Sequence, residues 1–184
     1  MSYRNTLETY GRVAKFFHWL VFVLLTCMLV YGYFLDDVPK PYQGLSYNIH
    51  KLIGLTIFVL MLLRALWAMT NPKPLLPANT PAWQVSAARI VHLSLYLTVI
   101  AMPIAGWVGS CAAGRPPHIG SFQLNLPIVQ DKALSHAAFD THGLLALIII
   151  GLLSLHILAA FYHELICKDN VLRRMLPWNI MNHG

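Results

Sequence analysis

Charge is what the sequence most lacks. Only 11% of its 184 residues are Asp, Glu, Lys or Arg, where soluble domains carry about 25%. Hydrophobic residues make up 57%, and the mean hydropathy is +0.58. This balance argues against a water-soluble core and for an integral membrane protein. Acidic residues are scarcest: no Asp or Glu falls inside any of the four long apolar runs. Hard-cation transport therefore lacks its oxygen ligands, and a carboxylate proton relay through the bilayer is missing too. Cysteine is also sparse. Cys27, Cys111 and Cys167 lie far apart, with no Cys-x-x-Cys, no zinc spacing and no disulfide framework. The absence of Cys-x-x-Cys-His excludes covalent haem attachment through that motif. The net charge of +6 comes from basic residues at the ends of apolar runs. No basic stripe with interleaved aromatics exists, which argues against a nucleic-acid partner.

What is present is apolar length. Four runs, about 16–35, 50–69, 90–109 and 142–162, each approach the roughly 20 residues that a helix needs to cross a bilayer. The reading is all-α, an integral membrane four-helix bundle, and one transmembrane domain over 1–184. Helices satisfy every backbone group internally, as lipid requires. Trp19, Trp67, Trp107, Tyr31, Tyr33 and Tyr162 fall near run ends, as an aromatic belt does. The first run has a basic flank but is too long for a signal-peptide core, and no small-x-small site follows, so it reads as retained. Prolines punctuate the connections (Pro39, Pro41, Asn71-Pro-Lys-Pro, Pro81), and Pro103 is expected to bend the third helix. The longest connection, 110–141, contains an amphipathic stretch and is expected to cap one face of the bundle.

Lysine and arginine set the orientation. Nine of them (Arg4, Arg12, Lys15, Arg64, Lys73, Arg89, Lys168, Arg173, Arg174) lie on one side and four (Lys40, Lys51, Arg115, Lys132) on the other. By the positive-inside rule both termini are cytoplasmic, and 110–141 is periplasmic.

Nine histidines are the unusual inventory. His18 opens the first helix on the cytoplasmic side. His50 and His142 open the second and fourth on the periplasmic side. His156 follows His142 by fourteen residues, which in a helix gives a rise of about 21 Å and an offset of only ~40° around the axis. The fourth helix therefore carries one imidazole at each of two depths on nearly one face. His50 matches His142 in depth, and His18 matches His156. A lone membrane histidine reads equally well as a hydrogen-bonded core residue. Two depth-matched pairs, with no carboxylate beside them and only Cys27 as a thiol, favour axial ligation of two b-type haems. Gly54, Gly106, Gly143 and Gly151 let either a flat macrocycle or a neighbouring helix come close. His92 is placed to meet a propionate or a quinone, or simply to face headgroups, and His163 to meet a quinone carbonyl or serve proton delivery. Arg64, Arg89, Arg173 and Arg174 read as partners of haem propionates or, more simply, as positive-inside anchors. His118 and His136 lie in the periplasmic connection and His183 in the tail, where exposure is the default.

These residues carry a family resemblance. Arg12-Val-Ala-Lys-Phe-Phe-His-Trp-Leu-Val21, Asn48-Ile-His-Lys-Leu-Ile-Gly54 and Ala101-Met-Pro-Ile-Ala-Gly106 resemble the helices of the bacterial four-helix cytochrome b-561 family. His142 to His156, Phe161-Tyr-His163 and Lys168-Asp-Asn-Val-Leu-Arg-Arg-Met-Leu-Pro177 are the most specific match. Coverage runs from about 12 to 177, and the long connection is its least similar part. The resemblance implies two haem b groups, held by His50 with His142 and by His18 with His156. It also implies electron exchange with the quinone pool of the bacterial inner membrane, with ubiquinone near Arg12, Trp19 and His163. Two branches follow from it. One is stand-alone and includes a superoxide oxidase that passes electrons from a periplasmic donor to quinone. The other anchors hydrogenases or dehydrogenases. A haem or metal transporter is the competing class outside the family. Across these readings the donor is a small molecule or a protein, and the bilayer itself is a partner.

Overall fold

Four helices carry almost all of the regular structure. The computed structural model describes residues 2–77 and 80–177, so His183 lies outside the described residues. The helices are α1 (Arg12–Tyr33), α2 (Lys40–Thr70), α3 (Ala82–Ala112) and α4 (Lys132–Tyr162). All four are long and apolar enough to cross a membrane. The last three have 31 residues each, a length of about 46 Å against a hydrocarbon core of about 30 Å. They therefore project into the headgroup region.

That projection explains where the helices differ from the apolar runs. α2 begins at Lys40 rather than 50, α3 at Ala82 rather than 90, and α4 at Lys132 rather than 142. The added turns carry Gln43 and Asn48, Gln84 and Arg89, and His136 and Asp140, so a search for apolar runs passes over them. Their starts are nevertheless marked. Pro39 and Pro81 directly precede α2 and α3, and the Asp131 carboxylate accepts the Leu134 N–H at 2.7 Å, an N-cap bond. The amphipathic stretch expected within 110–141 is the first part of α4. α3 continues through Pro103 as one helix.

The rest of that connection folds over one end of the bundle. A short antiparallel hairpin pairs β1 (His118–Ile119) with β2 (Phe122–Gln123). Asn48 on α2 grips it twice, donating to the His118 carbonyl at 2.8 Å and accepting the His118 N–H at 2.9 Å. Lys51 donates to the Arg115 carbonyl at 2.6 Å, and the Trp107 indole to the Leu124 carbonyl at 2.7 Å. The opposite end is clasped by the two terminal segments and the α2–α3 connection. Trp19 donates to the Met175 carbonyl at 2.9 Å, Arg174 to the Leu75 carbonyl at 2.5 Å, and the Leu75 N–H to the Leu7 carbonyl at 2.8 Å. Both terminal segments thus sit at the same end.

The exterior is as apolar as the interior. On α4, Leu147 is 69% exposed while Ile149, two residues on, is 0% exposed, which is the polarity of a helix whose outer face meets lipid. The core cluster includes Leu25, Ile57, Val99 and Ile149, one from each helix. These four form an apolar layer halfway along the bundle. α4 packs most extensively on α3.

Candidate functional site

Each helix carries its distinctive residues at a spacing of fourteen, with a core residue midway. The sets are His18, Leu25 and Gly32 on α1; His50, Ile57 and Arg64 on α2; His92, Val99 and Gly106 on α3; His142, Ile149 and His156 on α4. Seven residues rise about 10.5 Å and return to nearly the same face. Two polar layers result, separated by the apolar one. The hairpin-side layer contains Gly32, His50, Gly106 and His142. The clasp-side layer contains His18, Arg64, His92 and His156.

In the hairpin-side layer, the ring centres of His50 and His142 lie 6.1 Å apart, with planes at 66°. The His142 Nδ1–H donates to the Met102 carbonyl at 2.8 Å. This is the tautomer that leaves Nε2 with its lone pair free. Gly106 makes that bond reachable, since a Cβ there would stand 2.9 Å from His142 Nδ1. Gly32 likewise leaves room for the His50 ring, where a Cβ would stand 2.9 Å from Cε1. The buried Nδ1 of His50 has no hydrogen-bond partner in the described structure.

In the clasp-side layer, His18 and His156 have ring centres 6.2 Å apart, with planes at 61°. His92 joins them, its ring centre 5.2 Å from that of His156. Arg64 reaches across from α2 and places Nη2 3.0 Å from His18 Nδ1.

These distances test the fit of a metal bridge. Two imidazole nitrogens about 2 Å from one iron, each about 1 Å from its ring centre, separate the centres by roughly 6 Å. His50–His142 and His18–His156 meet that separation, whereas His92–His156 is about an ångström too short. The partnerless nitrogen of His50 and the glycines against both hairpin-side rings also fit a ligand pair beside a flat macrocycle.

The other expected positions are less united. Arg12 is exposed and stacks over the Tyr3 ring at 5.8 Å. Trp19 spends its N–H on Met175. The His163 Nδ1–H donates to Asp169 at 2.6 Å, and Cys167 shares that neighbourhood, with donor atoms all within 4.8 Å of one another. Arg12, Trp19 and His163 thus each have a partner outside the trio. His118 is a hairpin residue held by Asn48, and His136 is exposed on α4. Of the glycines expected beside a ligand, Gly106 packs on His142, but a Cβ at Gly54, Gly143 or Gly151 would meet nothing within 4 Å. Sequence reasoning passed over Gly32 and the contact of Arg64 with His18. The common fourteen-residue spacing in all four helices is the signal that could have found both.

The fold and its two layers define a class: a four-helix membrane protein with paired intramembrane histidines. The family model described as prokaryotic cytochrome b561 matches residues 9–178, and the chain belongs to that family. It is 32% identical to the Cytochrome b561 homolog 2 of Escherichia coli K12 over the whole of both chains. It is 32% identical to the Probable superoxide oxidase CybB of Yersinia pestis over 87% of this chain and 91% of that one. The Cytochrome b562 of Cereibacter sphaeroides is 25% identical over 91% and 94%. The chain is therefore a multi-pass bacterial membrane cytochrome of the electron-transfer type, and its family implies haem b.

Proposed function

We propose that this protein holds two b-type haems, one between His50 and His142 and one between His18 and His156, and carries single electrons across the bacterial inner membrane to quinone. The observation that carries this reading is the pair of cross-helix histidine separations, 6.1 and 6.2 Å. Bound haem supplies reversible one-electron chemistry at iron. The chain supplies four imidazoles, the Met102 carbonyl that fixes the tautomer of His142, and the apolar layer of Leu25, Ile57, Val99 and Ile149 that excludes water between the layers. With two histidines committed to each iron, exchangeable ligands at iron are disfavoured and outer-sphere transfer remains.

The basic count of nine against four supports a cytoplasmic clasp and a periplasmic hairpin. The donor acts at the hairpin side. Superoxide is the donor suggested by the similarity to the Yersinia pestis protein. Two superoxide anions become two dioxygen molecules, and one quinone takes the two electrons with two cytoplasmic protons to become quinol. The quinone head is assigned to the clasp side near Arg12, Trp19 and His163. His163, with Nδ1–H committed to Asp169, keeps Nε2 for a quinone oxygen or a proton, while Trp19 forms a wall rather than a donor.

The test is quinol formation by purified protein supplied with a superoxide generator and a soluble quinone. Quinol formation that superoxide dismutase abolishes supports the reading. Reduction that persists with dismutase present, or none at all, contradicts superoxide as the donor.

A further inference from the structure

The two layers differ in whether their histidines can ligate as they stand. The His142 Nδ1–H faces a carbonyl, so its other nitrogen is free. His18 faces a guanidinium, which only donates, so His18 Nδ1 accepts from Arg64 at 3.0 Å. Neutral His18 then carries its proton on Nε2. A ligating nitrogen must offer a lone pair. If His18 ligates through Nδ1, Arg64 already occupies that lone pair. If it ligates through Nε2, the proton returns to Nδ1 and two N–H groups confront each other. Either route displaces Arg64.

A displaced guanidinium in an apolar bundle needs an anion, because an unpaired buried charge is costly. The ion pairs found among the described residues are His163–Asp169 and Arg173–Glu164, so Arg64 has no carboxylate partner there. Its surroundings suit an incoming anion. The guanidinium lies 5.3 Å from the Tyr96 ring centre. The Tyr10 phenol stays protonated, raised by burial and then by Tyr96, with Arg64 and Arg174 close enough to pull the other way. Two guanidiniums and two phenols thus gather at the clasp end. The hairpin-side layer has no arginine: its places without histidine are Gly32 and Gly106, and the α2 place is taken by His50.

We propose that Arg64 is a carboxylate receptor: it caps His18, and ligation by His18 transfers it to a propionate of the macrocycle, so that Arg64 holds the clasp-side haem by its carboxylate. This rests on the di-haem reading above, with His18 as a ligand.

The experiment follows haem release from purified holoprotein into excess apomyoglobin, together with the propionate bending band in the resonance Raman spectrum. A charge-assisted bond to an ionised group predicts that Arg64→Gln speeds the release of one haem roughly 10- to 100-fold, leaves the other unchanged and shifts one propionate band. Arg64→Lys restores part of the retention. Arg89→Gln, which removes an exposed charge on α3, changes neither readout. Equal release of both haems, or an unmoved propionate band, overturns the proposal. His18→Ala separates the two readings. If it leaves two haems in place, the assignment of His18 as a ligand fails. If it removes one haem while Arg64→Gln does nothing, only the carboxylate receptor fails.

Discussion

The hairpin-side and clasp-side layers occupy equivalent helical positions, yet they are furnished differently. Glycines at 32 and 106 let the hairpin-side rings close against bare backbone, where His142 finds the Met102 carbonyl. At the clasp side α2 brings Arg64 and α3 brings His92, and His18 is capped by a cation. One layer seats its two histidines against positions without side chains. The other is crowded with polar groups and a charge. The difference teaches that equal spacing of histidines does not make equal surroundings, and that the side chains opposite them set each layer's character.

The largest break in this comparison is loss of one layer alone. His142→Ala or His50→Ala is expected to remove about half of the bound haem and leave the clasp-side spectrum, and His18→Ala is expected to do the converse. Absorbance spectra of the purified variants check both. Next is crowding of the hairpin-side layer. A Cβ at Gly106 would stand 2.9 Å from Nδ1 and 3.1 Å from Cε1 of His142. Gly106→Ala therefore costs about 1–3 kcal/mol of overpacking, more than the gain of about 1 kcal/mol in helix propensity. Lowered thermal stability with selective loss of the hairpin-side haem is the expected readout. Gly151→Ala, where nothing lies within 4 Å, is expected to leave stability equal or higher. A smaller effect is expected at His92. Its 5.2 Å approach to His156 is too close for an iron between them, so His92→Phe keeps both haems and moves only the clasp-side midpoint potential. The smallest concerns the clasp itself. Trp19→Phe loses the bond to Met175, worth about 1 kcal/mol, and speeds amide exchange in the segment near residue 175 without altering haem content.

Much of this was legible in the residues. The charge deficit and four apolar runs place four helices in a membrane, and depth matching pairs His50 with His142 and His18 with His156. Helix starts were less legible, because the turns that leave the bilayer are polar: Lys40, Asn48 and Asp140 interrupt the apolar signal although the backbone stays helical. The hairpin at 118–123 gave no periodic signal, since two-residue strands have none. Gly32 was missed because a glycine in an apolar helix reads as ordinary packing until its neighbour is known to be His50. Arg64 read as one of four arginines for which positive-inside anchoring was the simpler account than a propionate partner, because a sequence does not say which arginine turns inward. Arg12, Trp19 and His163 came from resemblance, and their side chains are engaged elsewhere.

The most direct test of the central claim is a pyridine haemochrome assay on purified wild type, His142→Ala and His18→Ala, read beside protein concentration. Two haems b per wild-type chain, and one in each variant with complementary low-spin spectra, is the expected result. One haem in the wild type, or two in either variant, contradicts the account.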